Sequence, residues 1–152
     1  MSDAQTSLDE TFRQDHRRCD ECWAGVEAAV EAGKAEDIAA AWQRFDRAQR
    51  RHLELEEEIL FPAFEAATGM TQGGPTFVMR SEHQQMRGLL DQMAAAAAAG
   101  DHQELVDQGD TLLLLIQQHN QKEENVLYPM AAQALADRWP ELRERIERVG
   151  AA

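Results

Sequence analysis

Six residues of this chain have the type and spacing to hold metal, and they form one triplet written twice. His16, His52 and Glu56 recur at a constant offset of 67 residues as His83, His119 and Glu123. The flanks repeat as well. Asp15-His16 matches Glu82-His83, and HLELEEEILFP (52–62) matches HNQKEENVLYP (119–129), a shared His-x-x-x-Glu-Glu-x-x-Leu-aromatic-Pro. On a helix, a His and a Glu four positions apart project from one face, one turn from each other. If that face is a core face, each unpaired carboxylate costs several kcal/mol. No Lys occupies these seam positions to neutralise them, so metal ions answer the charge. Four imidazoles and two carboxylates without a thiolate fit iron best, with manganese or zinc as alternatives. A closed structural zinc site takes four ligands and usually includes cysteine. Two facing halves supply six ligands, enough for two ions.

These residues need a bundle of long helices, and the sequence provides one. Helix A is expected over 8–31, opened by the capping-box form Ser7-Leu-Asp-Glu10 and stopped at Gly33. Helix B is expected over 36–66, with Pro62 kinking or ending its last turns. A Gly-rich loop (68–76) leads to helix C, from Pro75 through the Ala run 94–99 to Gly100. Helix D is expected over 102–136, with Pro129 matching Pro62, and a short tail helix over 140–149. The short A–B and C–D connections make two antiparallel hairpins, hence an all-α, up-down-up-down four-helix bundle forming a single domain. One-face seams support it: Leu8, Phe12, His16, Cys19, Trp23, Val26, Val30 on A; Ile38, Trp42, Phe45, Gln49, His52, Glu56, Ile59, Ala63 on B; Leu112, Ile116, His119, Glu123, Val126, Met130 on D. His16 lies about 15 residues (~22 Å) below the A–B turn and His52 about 16 (~24 Å) beyond it, at helical rise. The second hairpin counts the same way, so all four histidines are expected at one interior level.

Composition sets the class. At 152 residues with 43% hydrophobic content and a net charge of −13, the chain suits a soluble helical domain. Such acidity disfavours nucleic acid and anionic membranes as partners. The N-terminus lacks the basic and apolar regions of a signal peptide, and the apolar run 112–116 is too short to span a bilayer. Two cysteines in a CxxC do not make a secreted disulfide scaffold. A cytoplasmic location is expected.

The H…HxxxE…H…HxxxE pattern with its LFP and LYP tails resembles the hemerythrin-like, HHE cation-binding, domain over about residues 8–136. That resemblance implies a four-helix bundle around a non-haem di-iron centre. His16, His52, Glu56, His83, His119 and Glu123 would be the ligands, with Glu56 and Glu123 bridging alongside an oxo or hydroxo group. The oxygen-carrying members have a further histidine one turn before the third-helix histidine, where this chain has Met79, and an Asp spaced differently where it has Glu123. The four-His, two-Glu set looks more like bacterial di-iron proteins linked to iron–sulfur cluster repair under nitrosative and oxidative stress. Two six-coordinate irons offer about twelve positions, of which these ligands and one bridging oxygen fill about ten. Roughly one open position per iron favours O2, NO or peroxide as partner, in stress response or iron handling. A reversible oxygen carrier or sensor, and a peroxidase- or catalase-like enzyme, stand as alternatives, and catalysis and the redox partner are left open.

Other residues have two readings each. Cys19 and Cys22 are a redox pair or small core residues. Tyr128, the only tyrosine, donates a hydrogen bond near a bound ligand or packs with its hydroxyl at the rim. Asp15, Glu57, Glu82 and Glu124 orient ligand histidines or are solvated. His102 is expected at the surface, and Trp23, Trp42 and Phe45 in the core.

Overall fold

The computed structural model describes residues 6–151. Among them there is no strand, and the order is α1 (Leu8–Ala32), α2 (Ala35–Leu55), α3 (Phe61–Thr68), α4 (Pro75–Ala98), α5 (His102–Lys122), α6 (Tyr128–Ala134) and α7 (Trp139–Ala151). A π-helical turn, Glu56–Leu60, fuses α2 to α3, and a second, Glu123–Leu127, fuses α5 to α6. The architecture is thus the expected all-α bundle. α1 pairs with α2 and α4 with α5, while α1 also meets α5 and α6, and α2 meets α4.

Local chemistry sets the ends. Ser7 Oγ accepts from Glu10 N at 3.1 Å. The reciprocal half of the capping box is not made, because Glu10 pairs with Gln14 and Arg17 instead. Gly33 stops α1 at φ 83°, a left-handed conformation that glycine takes without strain. After α4, Gly100 at φ 72° lets Asp101 N return to Ala96 O at 2.9 Å, closing a Schellman-type cap. The side chain of Asp101 then caps α5 through Glu104 N at 3.1 Å.

The kink expected at Pro62 takes a specific form. Phe61 N bonds to Glu56 O and Tyr128 N to Glu123 O, each five residues back. A proline has no N–H and its ring crowds the preceding carbonyls; the wider π turn accommodates it. The extra residue rotates the chain beyond each turn, and this corrects the seam expected for helix D. Val126 and Met130 are 50% and 38% exposed, whereas Leu127, Tyr128 and Ala131 are buried. In the first hairpin Ile59 stays buried because α7 packs on that π turn, its Leu142 and Ile146 joining Leu8, Phe12 and Leu55 in one apolar cluster. A second cluster, with Trp23, Trp42, Phe45, Met86 and Leu112, fills the end of the bundle that holds the hairpin turns. His102 sits half-buried at the start of α5, and no described helix is long and apolar enough to cross a membrane.

Gly109 explains how an indole fits between α1 and α5. A Cβ there would lie 2.2 Å from the Trp23 ring, whereas one at Gly88, exposed on α4, would meet nothing within 4 Å. Overpacking costs ~1–3 kcal/mol, against a helix-propensity gain of about 1 kcal/mol for Gly→Ala. Urea unfolding should therefore find Gly109→Ala less stable than wild type and Gly88→Ala equal or up to about 1 kcal/mol more stable. A stabilised Gly109→Ala would show that Trp23 does not need that gap.

Candidate metal centre

The two triplets converge. His16 and His52 have ring centroids 4.7 Å apart, and His83 and His119 5.0 Å apart. All six candidate ligands are buried, and Glu56, His83 and Glu123 have no exposed surface. Their donor atoms fall into two groups, each within 4.8 Å: His16, His52, Glu56 and Glu123, and Glu56, His83, His119 and Glu123. Each hairpin supplies one histidine pair, and both glutamates belong to both groups.

The carboxylates divide themselves between the groups. Glu56 turns Oε2 toward His52 Nε2, at 3.5 Å, and Oε1 toward His83 Nε2, at 3.0 Å. Glu123 turns Oε1 toward His16 Nε2, at 2.9 Å, and Oε2 toward His119 Nε2, at 3.0 Å. Several of these contacts are not hydrogen bonds. The Nε2 atoms of His52, His83 and His119, with Glu56 Oε1 and Glu123 Oε2, are buried and without a hydrogen-bond partner. An orphaned buried carboxylate oxygen is costly, and five orphaned donor atoms aimed at shared points are what a pair of cations would satisfy. The donor set therefore fits metal.

The far nitrogen of each of the four candidate-ligand histidines is tied to a carboxylate. Asp15 Oδ2 accepts from His52 Nδ1 at 2.7 Å, and Glu82 Oε1 from His119 Nδ1 at 2.8 Å. Glu124 Oε2 accepts from His16 Nδ1 at 2.7 Å, and Glu57 Oε2 from His83 Nδ1 at 2.8 Å. Protonation is thereby directed to Nδ1, which leaves the Nε2 lone pair facing the centre. These four acids orient histidines rather than standing solvated. Each also meets a cation: Asp15 meets Arg18 and Arg51, Glu57 meets Arg87, Glu82 meets Lys122 and Glu124 meets Arg13. Burial raises the carboxyl pKa of Asp15, Glu57 and Glu82, but the histidine hydrogen bonds and neighbouring cations outweigh it, holding all three below the usual range. Arg13 has a further task. Pro129 cannot donate to the carbonyl five residues back, and Arg13 Nη2 does so instead, reaching Glu124 O at 2.7 Å.

Tyr128 departs from the rim position expected by packing: it is fully buried. Its hydroxyl lies 2.8 Å from Glu123 Oε1, 3.0 Å from His16 Nε2 and against Glu56 Oε2. The sequence signal for this was its place in the repeat, as the aromatic of the aromatic-Pro tail and five residues after Glu123; the π turn brings it back toward the centre. Cys19 is buried and Cys22 half-buried, both as free thiols. Burial and the charge of Asp15 push the Cys19 thiol far up, away from the reactive thiolate. A groove of about 560 Å³ beside α1 and α5, lined by Arg17, Asp20, Gln117 and Glu124, touches only His16 among the six candidate ligands.

Two outcomes follow. Glu82→Ala frees His119 to rotate and should weaken metal affinity about 10–100-fold at unchanged helix content, measured by competition with a chromophoric chelator; unchanged affinity would remove Glu82 from the site. The second concerns pH in the presence of excess chelator. Burial lowers the pKa of His16 and His83, but nearby carboxylates outweigh it, Glu123 foremost at His16 and Glu56 with Glu57 at His83, and raise both to about 9. A folded pKa above the unfolded value of about 6.5 contributes stability that is complete below that value and lost as pH rises through the folded one. Chelated protein should thus lose unfolding free energy between pH 6.5 and about 9, and a flat profile would contradict it.

Among curated proteins and solved structures nothing matches this chain. A family model does: the hemerythrin HHE cation binding domain, over residues 7–131, a span that contains both triplets and all four orienting carboxylates. The chain therefore belongs to the hemerythrin HHE cation-binding family.

Proposed function

We propose that this domain is a non-haem di-iron protein that binds or reacts with O2, NO or peroxide, in oxidative or nitrosative stress response or in iron handling. The observation that supports it is the sharing of Glu56 and Glu123 between two histidine pairs. One mononuclear ion would leave one histidine pair and two carboxylate oxygens without a cation. His16 and His52 would hold one iron, His83 and His119 the other, and the two glutamates would bridge them. Nitrogen and oxygen donors without thiolate fit iron better than a structural zinc, which supports the reading. A bridged iron pair supplies redox change and open positions for a small ligand.

The chain's own residues contribute three things. The carboxylates neutralise part of the charge of two ions in a space closed to bulk water. Asp15, Glu57, Glu82 and Glu124 hold the imidazoles in one tautomer and one orientation. The apolar clusters on either side restrict the centre to small visitors. With Met79 buried one turn before His83, no fifth histidine is available there. Fewer protein ligands leave more open coordination, which favours reactivity with O2, NO or peroxide over closed storage.

Protein loaded with ferrous iron and desalted should contain close to two irons per chain by metal analysis. After oxidation it should show the absorption of a bridged di-iron centre. Glu56→Ala combined with Glu123→Ala should abolish that absorption. One zinc with no iron, or an unchanged spectrum in the double variant, would overturn the assignment.

A further inference from the structure

The two halves of the centre are built from one repeat, yet at one position they differ in whether a polar atom reaches the donor cluster. Where the second repeat has Tyr128, the first has Phe61. Phe61 lies with its ring centroid 5.4 Å from that of His83 and has no polar atom to offer. Tyr128 puts an oxygen among the donor atoms of the His16/His52 group.

We propose that the Tyr128 phenolic oxygen is a metal ligand of the His16/His52 site, so that the two metals are chemically unlike. The proposal rests on the di-metal reading and adds a seventh protein ligand to it. Three observations carry it. First, the hydroxyl has one proton but faces three acceptors: Glu56 Oε2, Glu123 Oε1 and the Nε2 of His16, whose Nδ1 is already bonded to Glu124. A phenol donates one hydrogen bond, so with His16 neutral, the form that binds metal, two of the three contacts are lone pair against lone pair, and with His16 protonated one carboxylate contact still is. A cation among these atoms turns each of them into an attraction. Second, the spacing suits such a cation. Donor atoms about 2.0–2.2 Å from one metal, at right angles to each other, are roughly 3 Å apart. The phenolic oxygen stands 2.8 Å from Glu123 Oε1 and 3.0 Å from His16 Nε2, matching the 2.9 Å between those two candidate ligands themselves. Third, Tyr128 is held there. It has no exposed surface, its ring packs against Phe12 at 5.3 Å and His16 at 5.5 Å, and the π turn fixes its backbone through Glu123 O.

Ligation breaks the phenol O–H bond and forms an oxygen–metal bond; the proton leaves to solvent and no oxidation state changes. The first metal would then hold five protein residues, namely His16, His52, Glu56, Glu123 and Tyr128. The second would hold four and be walled by Phe61. The more open coordination therefore falls on the His83/His119 metal, and a small exogenous ligand is expected there.

Because Tyr128 is the only tyrosine, the test does not depend on a variant. Protein grown with ring-deuterated tyrosine is loaded with iron and oxidised, and its metal content is measured. Resonance Raman spectra are then recorded with excitation into the visible absorption. Two irons per chain with enhanced tyrosine ring modes that shift on deuteration support the proposal. Two irons without such modes overturn it and leave the di-iron reading standing. Fewer than two irons overturn both. Tyr128→Phe should keep two irons per chain and the absorption of the bridged centre but lose the band whose excitation enhanced the tyrosine modes, and retention of that band would also overturn the ligand role.

Discussion

Two carboxylates with no access to water, Glu56 and Glu123, are the constraint from which the rest of this structure follows. A buried ionised carboxylate needs a compensating charge or several donors. No Lys or Arg reaches either one among the described residues; the cations stop one layer out, on Asp15, Glu57, Glu82 and Glu124. The inner layer is left with histidines. Protonated, they compensate the glutamates, and this raises the pKa of His16 and His83 while Glu123 is held low against burial. Neutral, they offer lone pairs to a cation. Proton and metal therefore compete for the same nitrogen atoms, and the family's cation binding is the second solution to one electrostatic problem.

The outer carboxylates decide how the hairpins join. Asp15 and Glu82 each orient a histidine of their own hairpin, across α1–α2 and α4–α5. Glu57 and Glu124 each orient a histidine of the other hairpin. Glu56 and Glu123 cross in the same way, each facing a histidine of both hairpins. Neither hairpin alone can complete a metal group or fix the tautomer of all its histidines. The centre is thus part of the tertiary interface, and metal affinity and bundle stability should be coupled. It lies between two apolar clusters that pack without it, so docking of the hairpins does not require the metal to come first.

Much of this was legible in the residues. A 67-residue repeat of ligand types, helix counting and one-face seams led to the bundle and to six residues at one level, and the structure brings those six together. The π turns were not legible, because periodicity assumes one helical pitch. That assumption put Val126 and Met130 in the core, where Leu127 and Ala131 belong. The Pro at the end of each motif was the available signal: two prolines in equivalent places, each just past a ligand glutamate, mark a deliberate break in pitch. The crossed pairing of Glu57 and Glu124 was also hidden. Sequence neighbours of a ligand are natural candidates to orient histidines, but which histidine each one holds depends on how the hairpins dock.

The π turns also account for what the repeat does differently at its two ends. By inserting one residue after Glu56 and after Glu123, they swing the aromatic-Pro tail inward, so Phe61 and Tyr128 both reach the layer beneath the histidines. At Phe61 the ring fills space against His83 and the guanidinium of Arg80 lies over it at 5.3 Å. At Tyr128 the same backbone geometry delivers an oxygen to both Glu56 and Glu123. The asymmetry extends outward. Arg13 crosses to the second π turn at Glu124, while its repeat equivalent Arg80 pairs with Glu65. α7 covers the first π turn and leaves Val126 of the second exposed. The repeated triplet gives two like sets of donor atoms. One hydroxyl, placed by a turn that both halves share, is enough to make the surroundings of the two histidine pairs unlike.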